Sequence, residues 1–248
     1  MIIGFSGNLQ SGKSSSCRYV VGEIMKKNNL IKNFGIDDEG KLIVPDVSGN
    51  YGIFDFESNK SQEMKLFCQN VLYKMVRVIN FADSLKDDCC KYFGLPRELV
   101  YGGKKDKETL LSITWADIES IFKPASDMDG RKKKKRMSIR EVLITYADMV
   151  RSLNPDAFIN SAFYKAKEYE TGLVLIGDVR YENEIKAVHE KGGKVIRLGK
   201  IVELTGHSSE QTHTFDSSMF DLDIDNSVLS IREKNMKIKE ALIEWGVI

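Results

Sequence analysis

The amino-acid sequence predicts an α/β protein built on a mainly parallel central sheet with helices on both faces. Three observations carry that expectation. Short apolar runs alternate with amphipathic helical stretches along most of the chain, the order that produces parallel strands joined by helices. A glycine-containing segment, Gly7 to Ser14, lies directly between the first apolar run and the first helical stretch. The run Leu173–Ile176 ends at Gly177 and Asp178, with Arg180 two residues on. That is how a buried strand delivers side chains to the ligand crevice at the carboxyl edge of an open sheet.

The elements follow in order. MIIGFSG is a short apolar run suited to a buried parallel strand. In the helix after it, Cys17, Val20, Val21, Ile24 and Met25 fall on one apolar face. Residues 35–60 change character: short β-prone pieces are split by Gly, Pro, Asn and Ser, which predicts a hairpin-like insertion. Residues 62–76 read as helix and Arg77–Phe81 as a second strand. Ser84 is a candidate cap for a helix carrying Leu85, Cys89, Tyr92 and Phe93, which stops at Gly94 and Pro96. Residues 102–137 read as a mobile lid-like excursion with a possible short helix around Trp115–Phe122 and the tract DGRKKKKR. Ser138-Ile139-Arg140-Glu141 is a capping box that opens a firm helix. Then come strand Leu173–Ile176, helix Glu182–Glu190, the stop Gly192-Gly193, strand Lys194–Leu198 and strand Leu222–Asp225. A C-terminal helix closes the chain, with Ile238, Ala241, Leu242 and Trp245 on one face.

Composition narrows the function classes. At 248 residues the chain reads as a single domain, 1–248, with excursions at about 35–60 and 102–137, large enough to need no metal or disulfide staple. Lys and Arg total 37 against 36 Asp and Glu, a net charge of +1. That excludes the broad cationic field of a DNA-coating protein and argues against a nucleic-acid partner. No apolar run approaches the ~20 residues that span a bilayer, so no membrane partner is expected. The opening MIIGFSG has neither a basic n-region nor a cleavage-site pattern, and a cytoplasmic location is expected. Cys17, Cys68, Cys89 and Cys90 form no CxxC and have no histidine at zinc-like spacing. They read as reduced, partly buried thiols.

Gly7-Asn8-Leu9-Gln10-Ser11-Gly12-Lys13-Ser14 is a complete GxxxxGK[ST], the phosphate-binding P-loop, in the strand-to-helix setting the motif requires. Its glycines let backbone N–H groups turn inward toward phosphate oxygens, and the helix N-terminus adds the positive end of its dipole. Lys13 is the candidate ligand for the β- and γ-phosphates, and the Ser14 hydroxyl is the candidate ligand for Mg²⁺. Gly7, Asn8, Gln10, Ser11, Gly12, Lys13, Ser14 and Ser15 therefore form the expected ATP site. Asp178 is the candidate for the acidic residue such a protein holds near the metal, through water, the plainer reading being an ordinary strand-ending turn aspartate. Arg180 and Glu184 follow it. On the capped helix, Arg140, Ala147 and Arg151 are spaced by 7 and 11 residues and align within about 20°. Two arginines on one face suit a phosphate group. Asp148 flanks that line.

These blocks together resemble the deoxynucleoside monophosphate kinases of tailed bacteriophages, P-loop proteins related to the nucleoside monophosphate kinases. The P-loop Gly7–Ser14 is followed by Phe81-Ala82-Asp83-Ser84-Leu85-Lys86 with Phe93-Gly94-Leu95, similar to the family's FADPLK…FG block. Arg140 through Asp148 and Arg151 resemble its R-x-x-L-Q-x-x-G-T-D-x-x-R helix. Asp178–Glu184 and Gly192–Arg197 match its DVRxxNE…GGxVIR block. His207-Ser208-Ser209-Glu210 and Asp223–Asn226 are similar to its HxSE…IxN tail. The departures are Ser14-Ser15 in place of Asp-Thr after the P-loop lysine, and Ile144-Thr145-Tyr146-Ala147-Asp148 in place of Gln-x-x-Gly-Thr-Asp. The second bears on base and sugar selection. The aromatic residue that faces the acceptor base in some relatives falls near Phe158 by a gapped alignment.

The resemblance implies a P-loop NTPase three-layer sandwich and the reaction ATP + dNMP → ADP + dNDP, with ATP and Mg²⁺ as cofactors. It implies a small-molecule dNMP as partner, the host cytoplasm as location if the chain is viral, and in some members a homodimer. The acceptor is an already anionic phosphate oxygen, so no general base is required. Lys13, Arg140, Arg151 and Arg180 become the expected catalytic residues. Lys86, Arg140, Ala147, Asp148, Arg151, Phe158, Asp178, Arg180 and Glu184 become the expected substrate-binding set. Asp178 has two open roles, the metal's water shell or the acceptor nucleoside, and Glu184 is a candidate for orienting an arginine. Two other readings stay open. One is a P-loop kinase with a hydroxyl acceptor, of the nucleoside kinase or dephospho-coenzyme A kinase kind. The other is an ATP-gated binding protein. The basic run Arg131–Arg136 reads as a solvated lid tip, a nucleotide or nucleic-acid contact, or a localisation signal.

Overall fold

The strand Ile2–Ser6 (β1) lies at the centre of a five-stranded sheet. The structure is a computed structural model that describes residues 1–8, 10–57, 61–117, 135–167, 171–199 and 215–248. The chain divides into two units, Met1–Asn80 with Phe163–Ile248, and Phe81–Ala162.

The first unit holds the sheet. Its other strands are Val76–Ile79 (β5), Leu173–Val179 (β8), Lys194–Gly199 (β9) and Leu222–Asp225 (β10), in the order β10-β9-β1-β8-β5. All four pairings are parallel. The chain passes from β1 to β5 at one edge, returns to β8 beside β1, then crosses to β9 on the other side. The strand order therefore reverses at β1, where open parallel sheets bind ligands.

Apolar alternation along the strands serves two faces. Ile3 and Phe5 are fully buried with Cys17, Val20, Val21 and Ile24 of the helix Lys13–Lys27 (α1) and with Ile238 and Leu242 of the C-terminal helix Ile231–Glu244. Gly4 faces the opposite side, where Val188 of the helix Glu182–Glu190 approaches it. Helices thus cover both faces of the sheet. Each large apolar side chain buried this way is worth roughly 1.5–3 kcal/mol relative to exposure. The strand that carries the glycine loop is consequently among the most firmly held parts of the unit.

The insertion expected as a hairpin is a three-stranded antiparallel meander, Gly35–Ile36 (β2), Leu42–Pro45 (β3) and Tyr51–Ile53 (β4). It is tied to α1. Arg18 donates to Glu57 at 2.6 Å and to the Gly40 carbonyl at 3.0 Å, while Leu42 and Phe56 belong to the main apolar cluster. Gln62–Phe67 is helical and runs through a π-helical turn, Cys68–Leu72, into Tyr73–Met75.

The second unit contains the helices Asp83–Tyr92 and Ile139–Leu153, and a two-stranded antiparallel ribbon, Leu110–Thr114 (β6) with Arg136–Ser138 (β7). The two helices meet where Phe93 and Tyr146 pack edge to face, 5.6 Å between centroids. The capping box is formed: Glu141 N–H donates to Ser138 Oγ at 3.2 Å, and Ser138 N–H donates to Glu141 Oε2 at 2.8 Å. Ser84 is not the cap expected of it. The helix starts at Asp83 after Ala82, and the Ser84 hydroxyl is buried without a hydrogen-bond partner among the described residues. Gly94, at φ +62°, ends this helix in the left-handed conformation.

Cys17, Cys68 and Cys89 are buried and Cys90 is half-buried, all as free thiols. No described helix is long and apolar enough to cross a membrane.

Candidate functional site

The loop between β1 and α1 is shaped by its glycines. Gly7 has φ +138°, and a β-carbon there would collide with the carbonyl oxygen of Leu198 and come within 2.6 Å of Ser11 Oγ. Gly12 has φ +89° and is the residue from which α1 starts. Both conformations favour glycine over any L side chain. Gln10 shares the left-handed region at φ +62°.

The side chains and amides of this loop converge. Lys13 Nζ donates to the carbonyl oxygens of Gly7 at 2.6 Å and Asn8 at 2.7 Å, and lies 3.5 Å from Ser11 Oγ. The first helical bond of α1 runs from the Ser16 N–H to the Gly12 carbonyl, 2.9 Å. Amides before that point have no intrahelical acceptor. No side chain caps the helix, and its first turn contains no acidic residue. The positive end of the α1 dipole is thus combined with a lysine and with no carboxylate in that turn, which is the chemistry that receives a phosphate. Ser14 is exposed. Ser15 Oγ is buried without a hydrogen-bond partner among the described residues.

Asp178 stands beside this loop in the strand register. β8 extends to Val179, three residues beyond the expected strand end at Ile176, and Val179 pairs with Ser6, the last residue of β1. Asp178 is half-buried. Glu184 is 4% exposed. Its carboxylate accepts the backbone N–H of Arg180 at 2.6 Å and of Tyr181 at 3.1 Å. It therefore holds the backbone of Arg180 while it caps the helix Glu182–Glu190. The P-loop residues, Asp178, Arg180 and Glu184 all belong to the first unit.

The second unit contains the other expected residues. Arg140 Nε donates to Glu108 at 2.6 Å, with both side chains partly exposed. Arg151 reaches Asp148 at 3.9 Å and lies over the Phe158 ring at 5.0 Å from its centroid. Phe158 is 5% exposed, so Arg151 covers one face of the ring that the resemblance assigned to the acceptor base. Ala147 is buried within the same helix. Lys86 sits 3.7 Å from Asp83 and 4.9 Å over the Tyr101 ring.

Several expected features fall outside the described residues: Leu9, residues 118–122 of the short helix expected around Trp115–Phe122, residues 131–134 of the basic run, and His207, Ser208, Ser209 and Glu210. The end of that run is described. Lys135 pairs with Glu141 at 3.6 Å, and Arg136 donates to the carbonyls of Leu110 and Leu111.

Two residues lining the loop were absent from the expected ATP site. Asn226 Nδ2 donates to the Ser11 carbonyl at 2.7 Å. Lys234 places its ammonium 3.3 Å from where a β-carbon on Gly12 would be. The sequence contained a signal for Lys234: it sits one helical turn before Ile238, on the same stripe, so a lysine occupies a core position.

Among the described residues no group of three His, Cys, Asp or Glu side chains is placed to hold a metal. Magnesium in phosphate sites needs only one or two protein oxygens, the rest coming from phosphate and water. Ser14 and Asp178 offer such oxygens. Compared with models of known protein families and with curated protein sequences, the chain matches none.

Proposed function

We propose that the protein is an ATP-dependent deoxynucleoside monophosphate kinase with a P-loop NTPase sandwich fold. The observation that carries the reading is the β1–α1 loop. There Lys13, an uncapped helix start free of acid in its first turn, and two glycines in left-handed backbone meet at the strand where the sheet order reverses. A polyphosphate fits this cradle by charge and by hydrogen-bond direction. Mg²⁺, when bound with the nucleotide, supplies a bridge between phosphate oxygens that neutralises developing charge.

In this reading the loop amides and Lys13 hold the donor phosphates. The Lys13 ammonium exchanges its contacts with the Gly7 and Asn8 carbonyls for phosphate oxygens. Ser14 and Asp178 offer oxygens to the metal or its water. Arg140 and Arg151 bind the acceptor phosphate, and Arg180, held at its backbone by Glu184, neutralises charge on the phosphoryl group in transfer. The acceptor oxygen is already anionic, so positioning and charge neutralisation carry the catalysis. The order of motif blocks from Phe81 to Asn226 supports a monophosphate acceptor over a hydroxyl one.

The test is a coupled ADP-release assay with ATP·Mg²⁺ and dAMP, dGMP, dCMP or dTMP, with Lys13→Ala as control. ADP release that depends on a monophosphate and falls at least 100-fold in the variant is expected. Release only with hydroxyl acceptors, or none with any acceptor despite ATP binding, sinks the monophosphate kinase reading.

A further inference from the structure

The first turn of the C-terminal helix brings a second lysine to the P-loop. Lys234 is 3% exposed, and no described residue forms a hydrogen bond or ion pair with its ammonium. Buried lysines are almost always paired, because removing a charge from water is costly. The surroundings make this one more costly still. Its ammonium lies 3.3 Å from where a β-carbon on Gly12 would be, at the start of α1, where the helix dipole is positive. Burial pushes its ammonium down to about 8. Other polar groups on the same side are similarly under-used. Asn226 holds the Ser11 carbonyl with its amide nitrogen, while its own oxygen is buried without a hydrogen-bond partner among the described residues. The Asn235 oxygen is also buried without one.

A buried ammonium beside a positive helix end is stabilised by an anion. We infer that Lys234 is a second phosphate-binding lysine of the P-loop, contacting the polyphosphate chain of a nucleoside triphosphate from the side of Gly12 that Asn226 also approaches. The inference rests on the P-loop reading above and adds to it a ligand contact outside the GxxxxGKS motif. Lys13 approaches the phosphates from within the loop. Lys234 approaches from the helix that follows β10, so the grip on the phosphate chain depends on residues more than 200 positions apart in sequence. Asn226 is the positioning residue: its bond to the Ser11 carbonyl fixes the loop against the segment that carries Lys234.

The test measures binding of ATP, inorganic tripolyphosphate and adenosine to wild type, Lys13→Ala, Lys234→Met and Lys234→Arg. Lys234→Met is expected to weaken ATP and tripolyphosphate at least tenfold and leave adenosine unchanged. Its nucleotide-free melting temperature is expected to equal or exceed that of wild type, because an uncompensated buried charge is gone. A purely structural lysine predicts the reverse, a lower melting temperature and unchanged affinity in the folded protein. A second measurement needs only the wild-type fold. The side-chain resonance of Lys234 in ¹³Cε-lysine-labelled protein, assigned by its loss in Lys234→Arg, is expected to shift with tripolyphosphate and not with adenosine. An unmoved resonance overturns the inference. If Lys13→Ala weakens binding while Lys234→Met matches wild type, the Lys234 assignment alone falls. If wild type binds neither ATP nor tripolyphosphate, the P-loop reading falls and takes this inference with it.

Discussion

The Glu184 carboxylate holds the backbone N–H of Arg180 in a 2.6 Å hydrogen bond. The two residues are four apart, and the bond closes the turn that leads from β8 into the helix Glu182–Glu190. The same oxygen takes the Tyr181 N–H, so one buried carboxylate satisfies two helix-start amides. Glu184→Ala is expected to lower stability by about 1–3 kcal/mol, from the lost charge-assisted bonds and two unsatisfied amides. Urea unfolding measures it. Glu184→Gln retains one acceptor oxygen and is expected to lose less. If Arg180 acts in phosphoryl transfer as proposed, Glu184→Ala lowers kcat and Glu184→Gln lowers it less, because the Arg180 backbone is held less firmly.

Gly7→Ala is expected to remove nucleotide binding while the chain still folds. The substitution places a β-carbon at φ +138° against the Leu198 carbonyl and Ser11 Oγ. Local backbone strain of this kind costs about 1–3 kcal/mol, which the well-buried sheet can absorb. The loop relaxes instead, and its amides no longer converge. Calorimetric titration with ATP checks the loss, and circular dichroism checks the fold. ATP affinity within threefold of wild type would show that the loop's shape is not what holds phosphate.

The local features of this molecule were legible in the sequence; those set by distant packing were not. The glycine loop, the Ser138 capping box and the Gly94 stop are each written within a few residues, and each forms. The insertion at 35–60 reads as hairpin-like and is an antiparallel meander; its extra strand β2, Gly35–Ile36, is too short to show alternation and is a strand only through its pairing with β3. Ser84 looked like a cap because the residue type is right, yet the chain turns into helix one residue earlier, at Asp83. Lys234 was missed for the opposite reason. The apolar face of the C-terminal helix is carried by Ile238, Ala241, Leu242 and Trp245, and a lysine one turn earlier is buried only because that turn packs near Gly12, far away in sequence. Of the candidate site, the glycine loop was legible because one motif carries it. The site was least legible in Arg140 and Arg151, whose neighbours Glu108 and Phe158 lie outside the helix that carries both arginines.

Arg140→Ala is expected to separate acceptor from donor. Arg140 pairs with Glu108 on a partly exposed surface, and such pairs contribute about 0–1 kcal/mol. Stability should therefore change little. If Arg140 binds the acceptor phosphate, KM for the monophosphate rises at least tenfold while KM for ATP stays within threefold. Glu108→Gln releases the guanidinium from its carboxylate and is expected to lower the monophosphate KM. Equal effects on both substrates would remove Arg140 from the acceptor role.

Asp221 makes a prediction about acid stability that is independent of catalysis. Its carboxylate takes Lys194 Nζ at 2.8 Å, the Val195 N–H at 2.8 Å and His189 Nε2 at 2.9 Å, joining β9, the start of β10 and the helix Glu182–Glu190. Burial alone would raise its carboxyl, but these bonds outweigh it and hold the group below the ordinary carboxylate range. The unfolded chain then binds the proton more readily than the folded one. The stabilisation is fully present above the unfolded carboxylate value, about 3.9, and is lost as pH falls through the lower folded value. Asp221→Asn is expected to cost about 1–2 kcal/mol at pH 7 and progressively less below pH 4. Thermal melts of both proteins from pH 7 to pH 3 measure this. A difference in stability that stays constant across that range would show that the carboxylate's charge contributes nothing to holding β9 and β10 together.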